Sequence, residues 1–181
     1  MAGITRLCLA RRVRADGDDR HMLADLGDGV TVRRAVADDV PAIARLLADD
    51  FLGAEREVDP TDPCYRAAFE YLDADPRQLL TVLVRNRVVV GTMQLTTIPG
   101  LSHRGALRVV IEAVRVAADE RGTGLGSRYI RWAIDWSRGA GARLLQLTSS
   151  NSRVDARRFY EGLGFRADHV GLTLSLATRS G

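Results

Sequence analysis

The richest chemistry in the sequence lies between Val114 and Gly126, VRVAADERGTGLG. An apolar run from Leu107 to Val116 leads into it and a helical pattern from Leu125 to Gly139 leads out, so the order is strand, glycine-rich turn, helix. The first amides of a helix have no partner inside it, and the dipole is positive at that end, so such a junction attracts phosphate. Gly122, Gly124 and Gly126 let a ligand approach the main chain closely because they carry no Cβ. Arg121 adds a full positive charge. A Walker A loop is excluded because the chain contains no lysine. A Rossmann turn needs G-x-G-x-x-G and an acid on the next strand. Here the spacing is G-x-G-x-G, and the next strand, Arg143 to Thr148, has no acid.

Arg121-Gly122-Thr123-Gly124-Leu125-Gly126, placed directly after a V-x-V strand end, resembles the pyrophosphate loop of the GNAT (Gcn5-related) N-acetyltransferase superfamily. A second stretch, Asn151 to Phe165, contains A-x-x-F-Y-E-x-x-G-F from Ala156 to Phe165. It is similar to that family's second acetyl-CoA segment and follows the first motif in the same order. The resemblance spans roughly Val30 to Leu176. It implies acetyl-CoA as co-substrate with no metal, and a wedge between the strands ending at Val116 and Thr148 that receives the pantetheine arm. On the same resemblance Val114, Arg115 and Val116 align the thioester through their main chain. Arg121, Gly122, Thr123, Gly124, Leu125, Gly126 and Ser127 hold the pyrophosphate, Phe159 belongs to the coenzyme contacts, and the Tyr160 hydroxyl lies near the coenzyme sulfur as general acid. One position departs from the pattern. Where the family often has Asn, three residues before the alanine of the second motif, this chain has Arg153. Asn151 is then the candidate at the strand end, and Arg153 the alternative as a phosphate contact.

Amide formation from a thioester requires a neutral amine, a polarised carbonyl and a stabilised leaving thiolate. An alkylamine is mostly protonated at neutral pH, so a base is useful. Glu112 is the candidate, since its strand neighbours Val110, Ile111 and Val114 are apolar and a carboxylate facing a dry cleft has a raised pKa. The alternatives are that Glu112 only binds the ammonium, that it pairs with Arg108 or Arg115, or that a water chain removes the proton. His103, in the loop before this strand, is a reserve base. Neither motif contains a cysteine, which favours direct attack over an acetyl-enzyme.

Those residues need elements to hold them. Val30 to Ala35 reads as a first strand, Asp38 as the N-cap of a helix with Pro41 in its first turn, and Cys64 to Leu72 as a second helix. Leu79 to Val84 and Val88 to Thr97 read as a hairpin, and Ala106 to Val116 as the next strand. Leu125 to Gly139 is an amphipathic helix whose Trp132 and Trp136 are core, Arg143 to Thr148 a strand, and Ser152 to Gly162 a helix. Phe165 to Ala177 supplies one or two closing strands. With the resemblance, the expected fold class is α+β, mixed α/β, of GNAT type: a mostly antiparallel sheet flanked by helices with a splayed central strand pair. Residues 1–29 are expected to form a weakly ordered arm and 30–181 the N-acetyltransferase domain.

The bulk composition fits a single domain: 181 residues, 46% hydrophobic and 27% charged. No apolar run is long enough for a membrane helix. Arg11, Arg12 and Arg14 follow the short N-terminal apolar stretch, the wrong order for a secretory signal, and Cys8 and Cys64 make no disulfide framework or metal site. Cytoplasmic location is the expectation. Every basic residue is arginine, net charge is +3, and nucleic acid is not an expected partner because the basic patch lacks interleaved aromatics. Residues 49–75 hold nine carboxylates against Arg56 and Arg66. On the acceptor side of a GNAT fold this charge would attract a small cationic amine: a polyamine, an amino sugar or an aminoglycoside-like antibiotic. The rival readings are acetylation of a protein N-terminus or lysine, and a non-catalytic acyl-CoA sensor. A homodimer is expected from the family.

Overall fold

The computed structural model describes residues 21–49 and 56–176. Six strands lie side by side in chain order: β1 (Met22–Asp25), β2 (Val30–Arg34), β3 (Gln78–Arg85), β4 (Val88–Ile98), β5 (Arg108–Val116) and β6 (Leu144–Leu147). Neighbours from β1 to β5 are antiparallel, while β5 and β6 are parallel. A parallel pair cannot be joined by a tight turn. The crossover here is α3 (Leu125–Gly139), and the other helices longer than one turn among the described residues are α1 (Val40–Ala48), α2 (Pro63–Ala74) and α4 (Val154–Gly162). Arg85 pairs with Val88, so Asn86 and Arg87 form a two-residue hairpin loop. Both are left-handed, at φ 49° and 64°, the conformation that matches the twist of the flanking strands.

Helices cover both faces. On one, Leu125, Tyr129, Ile130 and Ala133 of α3 are fully buried against Leu83, Met93, Leu95, Val109 and Ile111 of the sheet. Each such side chain contributes about 1.5–3 kcal/mol by leaving water. Trp132 and Trp136 pack at the margin of this core, half-buried. The Tyr129 hydroxyl is hydrogen-bonded to that of Thr81, and burial pushes its pKa well above the ordinary tyrosine value. On the other face Ala35, Val40, Ile43 and Phe69 cover Val82.

Three sequence expectations change. Among the described residues the sheet begins at Met22, not Val30: Leu26 N–H bonds the Val30 carbonyl at 2.8 Å, closing a turn around Gly27, Asp28 and Gly29, all at positive φ. Arg128 of α3 clamps that turn, donating to the Leu26 carbonyl at 2.9 Å and to Asp28 at 2.7 Å. A four-residue strand has too short a pattern to read in sequence, and residues 1–20 of the expected arm lie outside the described residues. Second, Asp39, not Asp38, flanks α1. A 3₁₀ turn at Ala37–Asp39 precedes the helix, and the Asp39 carboxylate takes a two-point bond from Arg33 (2.6 and 2.8 Å) and the Val36 N–H at 2.8 Å. Third, residues 165–176 form no strand. Val170, Leu172, Leu174 and Leu176 alternate as a strand would, yet all are more than 80% exposed. Alternation describes where side chains point; it does not supply a ladder partner. Arg33–Asp39, Arg85–Glu120 and Arg128–Asp28 tie elements together, each through a guanidinium, as a lysine-free chain requires.

Candidate active site

The site begins with a fault in β5. Gln94 of β4 pairs with Glu112 and Thr92 with Arg115, so two residues of β5 face one of β4. Ala113 absorbs the extra residue at φ 54°, left-handed although it has a Cβ. Pairing of β5 with β6 ends there as well, at Ile111 opposite Leu147. Beyond it the strands part into a cleft of about 550 Å³. Ile111 to Arg115 line one wall, Leu147 to Ser150 the second, and Arg153, Ala156 and Tyr160 of α4 a third; Leu47, Arg56, Glu57 and Gln94 complete it.

The phosphate loop lies past the end of β5. Gly122 and Gly124 have φ 78° and 82°, and a Cβ at either would meet nothing within 4 Å, so the main chain is open to a ligand. Gly124 flanks α3 without a side-chain cap, and the first turn of α3 contains no acid. The positive end of this helix is therefore left for an external anion. These are the features a pyrophosphate needs, so the residues fit acetyl-CoA. Leu125 is buried and serves the core, whereas Arg121, Gly122 and Thr123 are exposed. Gly126 sits where its Cβ would be 3.7 Å from Phe159, so the half-buried Phe159 ring packs the start of α3 against α4. Arg121 is already engaged. It donates to the Val116 carbonyl at 3.0 Å and to the Asp49 carboxylate at 2.7 Å, tying the loop to the end of α1.

Glu112 lines the cleft, but it is exposed, so the dry setting expected for it is not the one it has. Tyr160 lines the same cleft, with its ring edge-on to Phe159 and Phe165 at 5.1 and 5.7 Å. Burial raises its pKa, and the charges of Arg115 and Arg153 oppose that rise. Two guanidiniums thus stand near this hydroxyl. Asn151 is exposed in the turn before α4 and is not among the cleft residues, whereas Arg153 is. His103 is exposed and outside the lining too.

Most of the described carboxylates of the acidic stretch are engaged by nearby groups. Asp59 accepts the Thr61 N–H, Asp62 caps α2 at the Cys64 N–H, Glu70 pairs with Arg66, Asp75 with Arg77 and Asp49 with Arg121. Among the described residues of 49–75, the only carboxylate lining the cleft is Glu57, accompanied by Arg56. Sequence reasoning missed Arg56 and Gln94 as site residues. A cross-strand partner of Glu112 was legible only once the bulge had fixed the register.

The model of the acetyltransferase (GNAT) family matches residues 40–165. An aminoalkylphosphonate N-acetyltransferase from Salmonella typhimurium is 30% identical over 145 residues, 80% of this chain and 90% of that protein. A solved structure described as a transcriptional regulator from Bacillus halodurans superposes at a TM-score of 0.79 with 40% identity, covering 81% of this chain and 99% of that one. A Trypanosoma brucei acetyltransferase follows at 0.67 and 26%, covering 81% and 99%. With both loop and cleft in their places, the chain belongs to the GNAT family and is an N-acetyltransferase.

Proposed function

We propose that this enzyme acetylates a primary amine of a small molecule by direct attack, using acetyl-CoA as donor. The observation that carries this reading is the cleft beside the Ala113 bulge, whose lining includes both Glu112 and Tyr160. Acetyl-CoA, when bound, supplies the activated acyl carbonyl.

The chain's own residues do the rest. Gly122, Thr123, Gly124, Gly126 and Ser127 present main-chain amides to the pyrophosphate, and Arg121 offers charge if it exchanges Asp49 for phosphate. Val114 lines the cleft, where a strand N–H can polarise a carbonyl; Val116 is not among the lining residues and pairs with Gly91 of β4. Glu112 holds the acceptor ammonium and takes its proton, directly or through a water. Tyr160, kept protonated by burial, donates to the leaving sulfur. Arg153 takes the place expected for Asn151 on the coenzyme side.

The polyamine, amino-sugar and aminoglycoside readings rested on the summed acidity of residues 49–75, of whose described carboxylates Asp49, Asp59, Asp62, Glu70 and Asp75 are taken up by hydrogen bonds and ion pairs. The Salmonella relative is named for an amine that carries an acid, and an acceptor of that kind is the finer reading we favour. No helix among the described residues is long and apolar enough to cross a membrane.

Release of free thiol from acetyl-CoA, measured against a panel of small amines, tests the reading. Turnover with at least one small amine is expected, and Glu112→Gln should lower kcat/KM about 100- to 10,000-fold, the usual reach of a positioned base. A chain that turns over none of them, but acetylates a peptide amine, would move the acceptor class to proteins.

A further inference from the structure

Glu57 is half-buried, and both of its oxygens are occupied. Its Oε2 accepts the Tyr65 hydroxyl proton at 2.9 Å, and its Oε1 accepts Arg56 Nε at 2.9 Å. The Tyr65 oxygen in turn accepts the Val58 N–H at 3.0 Å. The Glu57 side chain is 14% exposed, that of Arg56 62%. A carboxylate spent in this way is poorly placed to bind a substrate ammonium. It serves instead to aim its neighbour. The bond to Nε leaves the terminal nitrogens of the Arg56 fork for another anion, and a guanidinium is suited to two-point contact with carboxylate or phosphonate oxygens.

The other cleft arginines stand elsewhere. Arg115 lies on β5 and Arg153 flanks the start of α4, and the charges of both oppose the rise in the Tyr160 pKa. Arg56 enters from the segment between α1 and α2, in the company of Leu47 and Gln94. Gln94 is paired across the strands with Glu112. The cleft thus has a carboxylate at Glu112 to take an ammonium and a braced guanidinium on a separate wall.

We infer that Arg56, braced by Glu57 and Tyr65, binds the anionic end of a zwitterionic acceptor, one that carries a carboxylate or a phosphonate near its primary amine. This rests on the N-acetyltransferase reading above and adds the specificity residue. Arg56 is the binding group. Glu57 and Tyr65 are positioning residues that act through it.

The test uses the full chain and four acceptors of matched length: an ω-aminoalkylphosphonate, an ω-amino carboxylate, an alkylamine and an α,ω-diamine. The wild type should show a lower KM for the two acids than for the alkylamine, and the lower of the two distinguishes phosphonate from carboxylate. Arg56→Gln should raise KM for the acids about 10- to 100-fold, as expected for losing a charge-assisted contact. The alkylamine KM should move much less than that of either acid. Arg56→Lys should recover part of the loss, and Tyr65→Phe should act in the same direction with smaller size. Calorimetric binding of the same acids in the presence of CoA gives a readout apart from turnover. Preference for the diamine, or an equal effect of Arg56→Gln on all four acceptors, overturns the assignment while leaving the N-acetyltransferase reading intact. Weaker binding of the acids by Arg56→Gln without turnover of any acceptor supports Arg56 and sinks that reading. Binding unchanged by Arg56→Gln overturns the assignment whatever the kinetics show.

Discussion

Tyr160 is held between two phenylalanine rings, and its raised pKa follows from that burial. A raised tyrosine keeps its proton above neutral pH. The alkaline side of the kcat profile should therefore show no loss from Tyr160 until beyond about pH 10, the ordinary tyrosine value. Tyr160→Phe should lower kcat about 10- to 100-fold at every pH below that without moving the acid limb, which belongs to the base. A pH–rate profile of both proteins checks it, and a displaced acid limb in the variant would mean that Tyr160 acts through Glu112. Gly91 illustrates a different constraint. A Cβ there would come within 2.8 Å of Leu83 Cδ1 and 2.9 Å of the Arg115 carbonyl oxygen. Gly91→Ala should cost about 1–3 kcal/mol in a denaturant titration, the usual range for overpacking. Because Arg115 lies in the cleft wall, it should also weaken acetyl-CoA binding.

At the scale of elements, β5 first pairs with β6 and then parts from it. Up to Ile111 it is an ordinary core strand. After Ala113 it still pairs with β4, but on its β6 side the neighbour is a cleft. Holding a residue with a Cβ in a left-handed conformation costs about 1–2 kcal/mol, and a β-branched side chain costs more. Ala113→Val should therefore lower Tm by about 2–8 °C and reduce acetyl-CoA affinity together. Ala113→Gly, free of that strain, should keep stability within about 1 kcal/mol. A Val variant with unchanged Tm would show that the bulge simply relocates. The bulge could not be read from the sequence, since VVIEAVRV carries an uninterrupted strand signal and an alanine gives no hint of positive φ. The glycine loop could be read, because glycine is the residue that open, left-handed backbone demands. Long patterned elements such as α3 and the β3–β4 hairpin were legible for the same reason: their spacing is dictated by the core they cover. Arg56 and Glu57 were legible only as charge, because what sorts the acids of 49–75 into caps, ion pairs and a braced carboxylate is tertiary contact.

For the whole molecule, the tyrosines govern alkaline stability. Tyr129 has a folded pKa raised by burial above its unfolded value of about 10. Between these two values the unfolded chain has released a proton that the folded chain still binds, so stability is full below about pH 10 and falls as pH rises through that window. Arginine remains protonated throughout, so loss of ion pairs should not mask the effect. Urea titrations at pH 8 and pH 11 should give a lower midpoint at pH 11. Tyr129→Phe should flatten that difference even if it lowers stability at pH 8 by losing the bond to Thr81. An equal drop in the variant would assign the alkaline loss to other groups.

The guanidinium-only ion pairs have a further consequence for an enzyme whose trade is amine acetylation. With no lysine in the sequence, the fold offers no side-chain primary amine to its own donor. Its surface charge cannot be eroded by stray acylation as the donor accumulates, and guanidiniums stay protonated and poorly nucleophilic at neutral pH. Amine-reactive dyes will likewise pass over its side chains, so acceptor consumption can be followed with such a dye in the presence of the enzyme.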